Sequence, residues 1–147
     1  MAVDEFYFHR KRGLGKWESL GHPLDTLSVV LPFLLILWVP RGTSASWVFV
    51  GAAVFSCLFV TKDEGVHLRE CPVLEQRLHA LLFMVHPILF LSGWLWWGRM
   101  DVLQGDLPGA LNAREWIQLQ LLIMLGFGTY QLIAWRKSWW GSWRAEK

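Results

Sequence analysis

The sequence predicts an all-α integral membrane protein in which four transmembrane helices form one antiparallel bundle. Hydrophobic residues make up 54% of the 147-residue chain and the mean hydropathy is +0.32, values that are too apolar for an ordinary soluble domain of this size. Four apolar runs are separated by polar links, and basic residues and tryptophans cluster at the ends of those runs. We therefore expect residues 1–147 to form a single membrane domain.

The four apolar runs set the expected helix boundaries. They cover about residues 23–39, 45–61, 72–98 and 113–136. In the first run, Pro23 occupies a helix-opening position and Pro32 predicts a kink, which leaves an apolar part that is short for a span of roughly 20 residues. The second run contains small residues, such as Gly51 and Ser56, that allow close helix packing in lipid. Pro72 opens the third helix, and the fourth carries several polar side chains that could bond to neighbouring helices.

Basic and aromatic residues predict the orientation of the bundle. With the N-terminus in the cytoplasm, 11 of the 14 Lys and Arg residues lie on the inner side, which leaves Arg41, Arg99 and Arg114 outside. All 11 tryptophans then fall at one of the two membrane boundaries. The basic, aromatic segments at both ends of the chain suit the headgroup region of the membrane. We expect an N-in, C-in topology in a bacterial inner membrane, surrounded by lipid.

Charge and motif content argue against several functional classes. The net charge is only +2, and the basic residues do not follow one face, so we expect no binding to nucleic acid. The chain contains no nucleotide-binding loop, no HExxH motif and no Ser–His–Asp order. Its two cysteines are Cys57, in an apolar run, and Cys71, in a charged loop, and we expect no disulfide between them.

Most of the candidate chemistry lies in the loop after the second helix and at the start of the third. Glu75 and His79 are four residues apart, so a helix places this carboxylate and imidazole on one face. The predicted topology brings His22 and Asp25, at the start of the first helix, to the same cytoplasmic side. Such groups at the edge of lipid are costly unless they pair or hold an ion, and they suit iron or zinc. The predicted metal ligands are His22, Asp25, Asp63, Glu64, His67, Glu75 and His79.

His86 is a separate case, because it lies deeper in the third helix and is followed by Pro87. One interpretation is a buried histidine that forms a hydrogen bond with the fourth helix. The other is an axial ligand of a haem or of a chlorophyll-type pigment, for which one imidazole suffices. Cys71 is likewise either a helix cap or an additional ligand, and as a thiolate it would favour zinc.

Two functional hypotheses remain open. The first is a metal-binding membrane protein or enzyme, in which the ion activates water or oxygen for the hydrolysis or oxidation of a lipid-soluble substrate. The second is a non-catalytic accessory subunit that packs against other subunits of a respiratory or photosynthetic complex. In the second case the polar cluster is a hydrogen-bond network between helices. The small size, the short first helix and the basic, aromatic ends favour this second hypothesis.

Overall fold

The computed structural model describes residues 4–9, 16–65, 71–99 and 112–136, and this part of the chain is helical. It begins with a π-helical segment, which we call the N-terminal turn, at Asp4–His9. The four long helices are α1 at Lys16–Trp38, α2 at Thr43–Phe59, α3 at Val73–Trp96 and α4 at Ala113–Ala134, and a 3-10 turn at Val60–Asp63 continues α2. Each helix, α2 together with its 3-10 turn, provides a stretch long and apolar enough to cross a membrane, and the helices pack together. The prediction of four apolar helices that could cross a membrane is thereby confirmed, while the orientation stays a prediction.

Helix α1 is longer than its apolar run predicts. It begins at Lys16 and not near residue 23, so Pro23 and Pro32 both lie inside it. Its membrane-compatible stretch is 22 residues long, and the expectation of a short first helix is wrong. The added turns carry Glu18 and Ser19, which are polar but buried within the protein. Hydropathy alone misses such turns, because it does not distinguish polar residues in water from polar residues inside a bundle.

Helix α1 is also the most enclosed of the four. In its most apolar stretch 61% of the residues are buried, compared with 17% in α2, 22% in α3 and 11% in α4. Phe33 of α1 faces Phe90 of α3 at a ring-centroid distance of 6.2 Å. Ser28 of α1 and Ser56 of α2 share a hydrogen bond of 2.8 Å. The outer helices expose many large aliphatic side chains, which suits contact with lipid tails.

Close approach of the helices depends on a few small residues. A Cβ atom on Gly93 of α3 would lie 2.8 Å from Cδ1 of Ile36 in α1, so a larger residue does not fit there without movement. In α2, Ser56 is fully buried, whereas a Cβ atom on Gly51 would meet nothing within 4 Å. The small residues of α2 therefore serve close packing at only some of the predicted positions.

Two hydrogen bonds fix the direction of α1 relative to α4. Near the middle of α1, Thr26 donates to Gln131 near the end of α4 at 3.2 Å. At the second end of α1, Arg114 in the first turn of α4 donates to the carbonyl of Leu37 at 3.1 Å. The two helices therefore run in opposite directions. Near this second end Trp97 is only 2% exposed, so it lies inside the protein.

Candidate metal centre

Three buried side chains with metal-binding groups meet at the end of the bundle where α1 and α3 begin. His9 lies in the N-terminal turn, Glu75 in the first turn of α3, and His79 one turn further along. Their exposed fractions are 1%, 1% and 7%. One ligand atom from each side chain lies within 4.8 Å of the other two. Two imidazoles and one carboxylate in this arrangement could hold a metal ion.

The start of α3 explains the position of Glu75. Pro72 occupies the position before the helix in an extended conformation, with φ −65° and ψ 155°, so the cap is Pro72 and not Cys71. The helix dipole favours a carboxylate in the first turn, where Glu75 lies. The thiol of Cys71 donates to Oε1 of Glu75 at 3.2 Å. Cys71 therefore contacts the candidate ligand and helps to orient its carboxylate.

Glu5 anchors the N-terminal turn against the end of α4. Its carboxylate accepts hydrogen bonds from Nε2 of Gln131, at 3.0 Å, and from Nε1 of Trp135. Oε2 of Glu5 lies 3.6 Å from Nδ1 of His9, and Nε2 of His9 lies 3.9 Å from Oε1 of Glu75. Burial alone would raise the pKa of the Glu5 carboxyl, but the hydrogen-bond donors around it hold that pKa below its ordinary value. A charged Glu5 thus lies behind His9, as carboxylates often do behind metal-binding histidines.

A cavity of about 40 Å³ adjoins this group. His9 and His79, two of the three candidate ligands, line it. So do His22 of α1 and His86 of α3, and the rings of His9 and His22 are 4.6 Å apart between centroids. Four imidazoles thus surround one small internal space.

Asp25 of α1 also lines the cavity, and it forms a buried salt bridge with Lys62 in the 3-10 turn that follows α2. The exposed fractions of the two side chains are 8% and 9%. A buried carboxylate that is paired with an ammonium group already has a compensating charge. Asp25 therefore has less need of a metal ion than the sequence pattern alone implies.

The structure gathers some of the predicted ligands and leaves others apart. Glu75 and His79 belong to the buried group, and His22 and Asp25 lie beside it at the cavity. Glu64 is half-buried and is not part of any metal-binding group among the described residues. The two remaining predictions concern His67 and the side chain of Asp63, which lie outside the described residues.

The predicted set of ligands does not contain His9. Its segment combines aromatic and basic residues, and that composition favours an interpretation as a membrane-surface anchor. The spacing offers a signal, because Glu5 and His9 are four residues apart, as are Glu75 and His79. The chain has three such Glu-x-x-x-His pairs, since Glu18 and His22 form another, so spacing alone does not single out His9 and the prediction based on a single pair is incomplete.

His86 forms a hydrogen bond within α3 and lines the same cavity. Its Nδ1 lies 3.3 Å from the carbonyl oxygen of Leu82 in the same helix, so this is the hydrogen bond it makes, and not one with α4. Its Nε2 is buried and has no hydrogen-bond partner among the described residues. Organic ligands usually occupy pockets of roughly 300 Å³ or more. The cavity of about 40 Å³ that His86 lines is too small for a porphyrin or a chlorophyll-type pigment.

Comparisons with known proteins add no family to this description. No protein-family model matches the chain, and no match is found among curated proteins or among solved structures. The functional interpretation therefore depends on the four apolar helices and on the residues of the buried group.

Proposed function

We propose that this protein is a membrane metalloprotein that binds one divalent transition-metal ion at His9, Glu75 and His79. The observation that carries the proposal is the convergence of three buried ligand atoms from two separate elements, all within 4.8 Å of one another. Imidazole and carboxylate ligands suit zinc and iron(II), whereas magnesium and calcium prefer sites made of oxygen atoms alone.

The cost of burying charge supports a cation at this position. Glu5 and Glu75 are each 1% exposed, and both lie within 4 Å of the same imidazole, that of His9. Buried carboxylates are expensive in a low-dielectric interior unless positive charge or hydrogen bonds compensate them. A divalent ion beside Glu75 supplies positive charge on one side of the His9 ring, while the Glu5 carboxylate lies by the other ring nitrogen.

We further propose that the metal centre lies near the cytoplasmic face of a bacterial inner membrane, with both chain ends inside. The distribution of Lys and Arg supports this orientation, because 11 of the 14 fall on that side. An accessory role beside other membrane subunits stays a prediction. One of its supports is removed, since α1 has a membrane-compatible stretch of 22 residues and not a short one.

Metal analysis of purified protein tests the proposed function. Protein in mild detergent is loaded with Zn²⁺ or, without oxygen, Fe²⁺, then desalted and analysed for bound metal. The wild type should retain about one ion per chain, and His9→Ala and His79→Ala should each retain less than roughly a tenth of that, because each loses one of three ligands. Arg77→Ala is the matched control, since Arg77 is exposed and lies between Glu75 and His79 in the sequence.

Two results would contradict the proposal. One is a wild-type protein that is folded and monodisperse but retains no stoichiometric metal. The other is His79→Ala protein that retains as much metal as the Arg77→Ala control. Circular dichroism of each variant verifies that the helices are intact, so that loss of metal is not mistaken for loss of fold.

A further inference from the structure

Among the described residues, the candidate metal centre has three protein ligands, and that number carries information. Structural zinc sites usually have four protein ligands, whereas catalytic sites have three and leave one position for water or substrate. The group consists of His9, Glu75 and His79, and no fourth His, Cys, Asp or Glu of the described residues joins it. An ion held by these three side chains therefore has a coordination position that the described ligands do not fill.

The cavity lies beside the candidate metal centre, where it could receive a ligand in that position. Both imidazole ligands, His9 and His79, line it, so an ion between them adjoins it. A water molecule needs roughly 10–15 Å³ of such space, and the cavity has about 40 Å³. It therefore has room for a water molecule or for a small ligand of two or three atoms, and it is too small for a large organic molecule.

His86 borders the same cavity from deeper in the bundle. A backbone carbonyl only accepts hydrogen bonds, so the contact of 3.3 Å between Nδ1 of His86 and the oxygen of Leu82 places the ring proton on Nδ1. Nε2 then carries a lone pair. This atom is buried, and no described residue donates a hydrogen bond to it. A donor inside the cavity would satisfy it.

We propose that the cavity is the exogenous-ligand site of the metal centre, and that His86 favours ligands that carry a proton, above all water, by accepting a hydrogen bond at Nε2. This inference rests on the proposed metal binding and adds to it the position at which the ion would bind an external ligand. The centre is then open to small molecules, as in metal sites that activate water, and closed to bulky ones. His86 acts as a positioning residue and not as a metal ligand.

Azide binding to the Co²⁺-loaded protein tests the site, because the visible spectrum of Co²⁺ reports changes in its ligands. Azide carries no proton and has to displace water, so it loses the hydrogen bond that water makes with His86. In the wild type, added azide should shift the Co²⁺ spectrum, and the shift should saturate as the azide concentration rises. In His86→Ala the hydrogen bond that favours water is gone, so azide should bind about tenfold more tightly, which corresponds to one hydrogen bond.

A gain of affinity is informative because a merely damaged site would bind both metal and azide more weakly. Met84→Ala is the control, since Met84 lies on the same helix and is 64% exposed, and its azide affinity should equal that of the wild type. His86→Phe fills the cavity and should keep the metal while losing the response to azide.

Each other outcome has a distinct meaning. A wild type that binds Co²⁺ but does not respond to azide has no open position, and the inference is overturned. Loss of Co²⁺ from His86→Ala would make His86 a ligand, which overturns its positioning role. An unchanged or weaker azide affinity in a His86→Ala protein that keeps the metal would also overturn that role. Failure of the wild type to bind Co²⁺, Zn²⁺ or Fe²⁺ refutes instead the proposed function on which the inference rests.

Discussion

Replacement of Glu5 by glutamine should weaken metal binding although it removes no proposed ligand. Oε2 of Glu5 lies 3.6 Å from Nδ1 of His9, on the side of the ring away from Glu75. Glutamine keeps the size of the side chain and an oxygen that can accept from Trp135, but it loses the charge behind the imidazole. Loss of such a partner typically lowers metal affinity by about 10- to 100-fold. That range corresponds to about 1.4 to 2.7 kcal/mol.

The measurement is a competition for Zn²⁺ between the protein and a chromophoric chelator of known affinity. Glu115→Gln is the matched control, because Glu115 is exposed in the first turn of α4, at the opposite end of that helix from Gln131. Its Zn²⁺ affinity should equal that of the wild type. The reasoning about Glu5 is refuted if Glu5→Gln, folded and loaded with one ion, binds Zn²⁺ as tightly as the control.

Further predictions concern packing, charge and orientation. Gly93→Leu should destabilise the bundle by about 1–3 kcal/mol, because a Cβ atom there would lie 2.8 Å from Cδ1 of Ile36. Gly126→Leu should leave the stability unchanged, because nothing lies within 4 Å of its Cβ position. Equal unfolding midpoints of the two variants in detergent would contradict this prediction. Lys62→Met should cost about 3 kcal/mol by removing the cation that compensates the buried Asp25, and the second change Asp25→Asn should recover part of that loss. Additive losses in the double variant would argue against coupling. Reporter fusions at the two chain ends should both be active in the cytoplasm, and a periplasmic signal from either end would refute the orientation.

The fold follows from the sequence to the extent that hydropathy controls it. Four apolar runs predict four helices, because an isolated backbone in lipid has to satisfy its own hydrogen bonds. Hydropathy does not predict where α1 begins, since Glu18 and Ser19 are polar and yet buried in the protein. Nor does it predict that Trp97 lies inside, where its indole donates to the carbonyl of Val39 at 3.0 Å. Both features depend on tertiary contacts that no local pattern contains.

The candidate metal centre likewise contains residues that local sequence predicts and residues that only tertiary structure identifies. Glu75 and His79 are recognisable because helical spacing places them on one face, which is a local property. His9 lies beside them only because the tertiary fold places the N-terminal turn against the start of α3. Asp25 has the residue type of a ligand, but its pairing with Lys62 depends on how α1 and α2 meet. Spacing therefore identifies two of the three candidate ligands, and tertiary structure decides which other residue joins them.

The link between Glu5 and α4 has a consequence for biosynthesis. Gln131 donates to Glu5 at 3.0 Å and follows it by 126 positions in the chain. The ribosome must therefore make nearly the entire described chain before Glu5, which lies beside His9, is held by α4. A nascent chain with only three helices in the membrane already contains His9, Glu75 and His79, but it lacks the partners that orient the N-terminal turn. With the proposed ion, tight binding would then require α4, and chains that stop before α4 should lose metal to chelators.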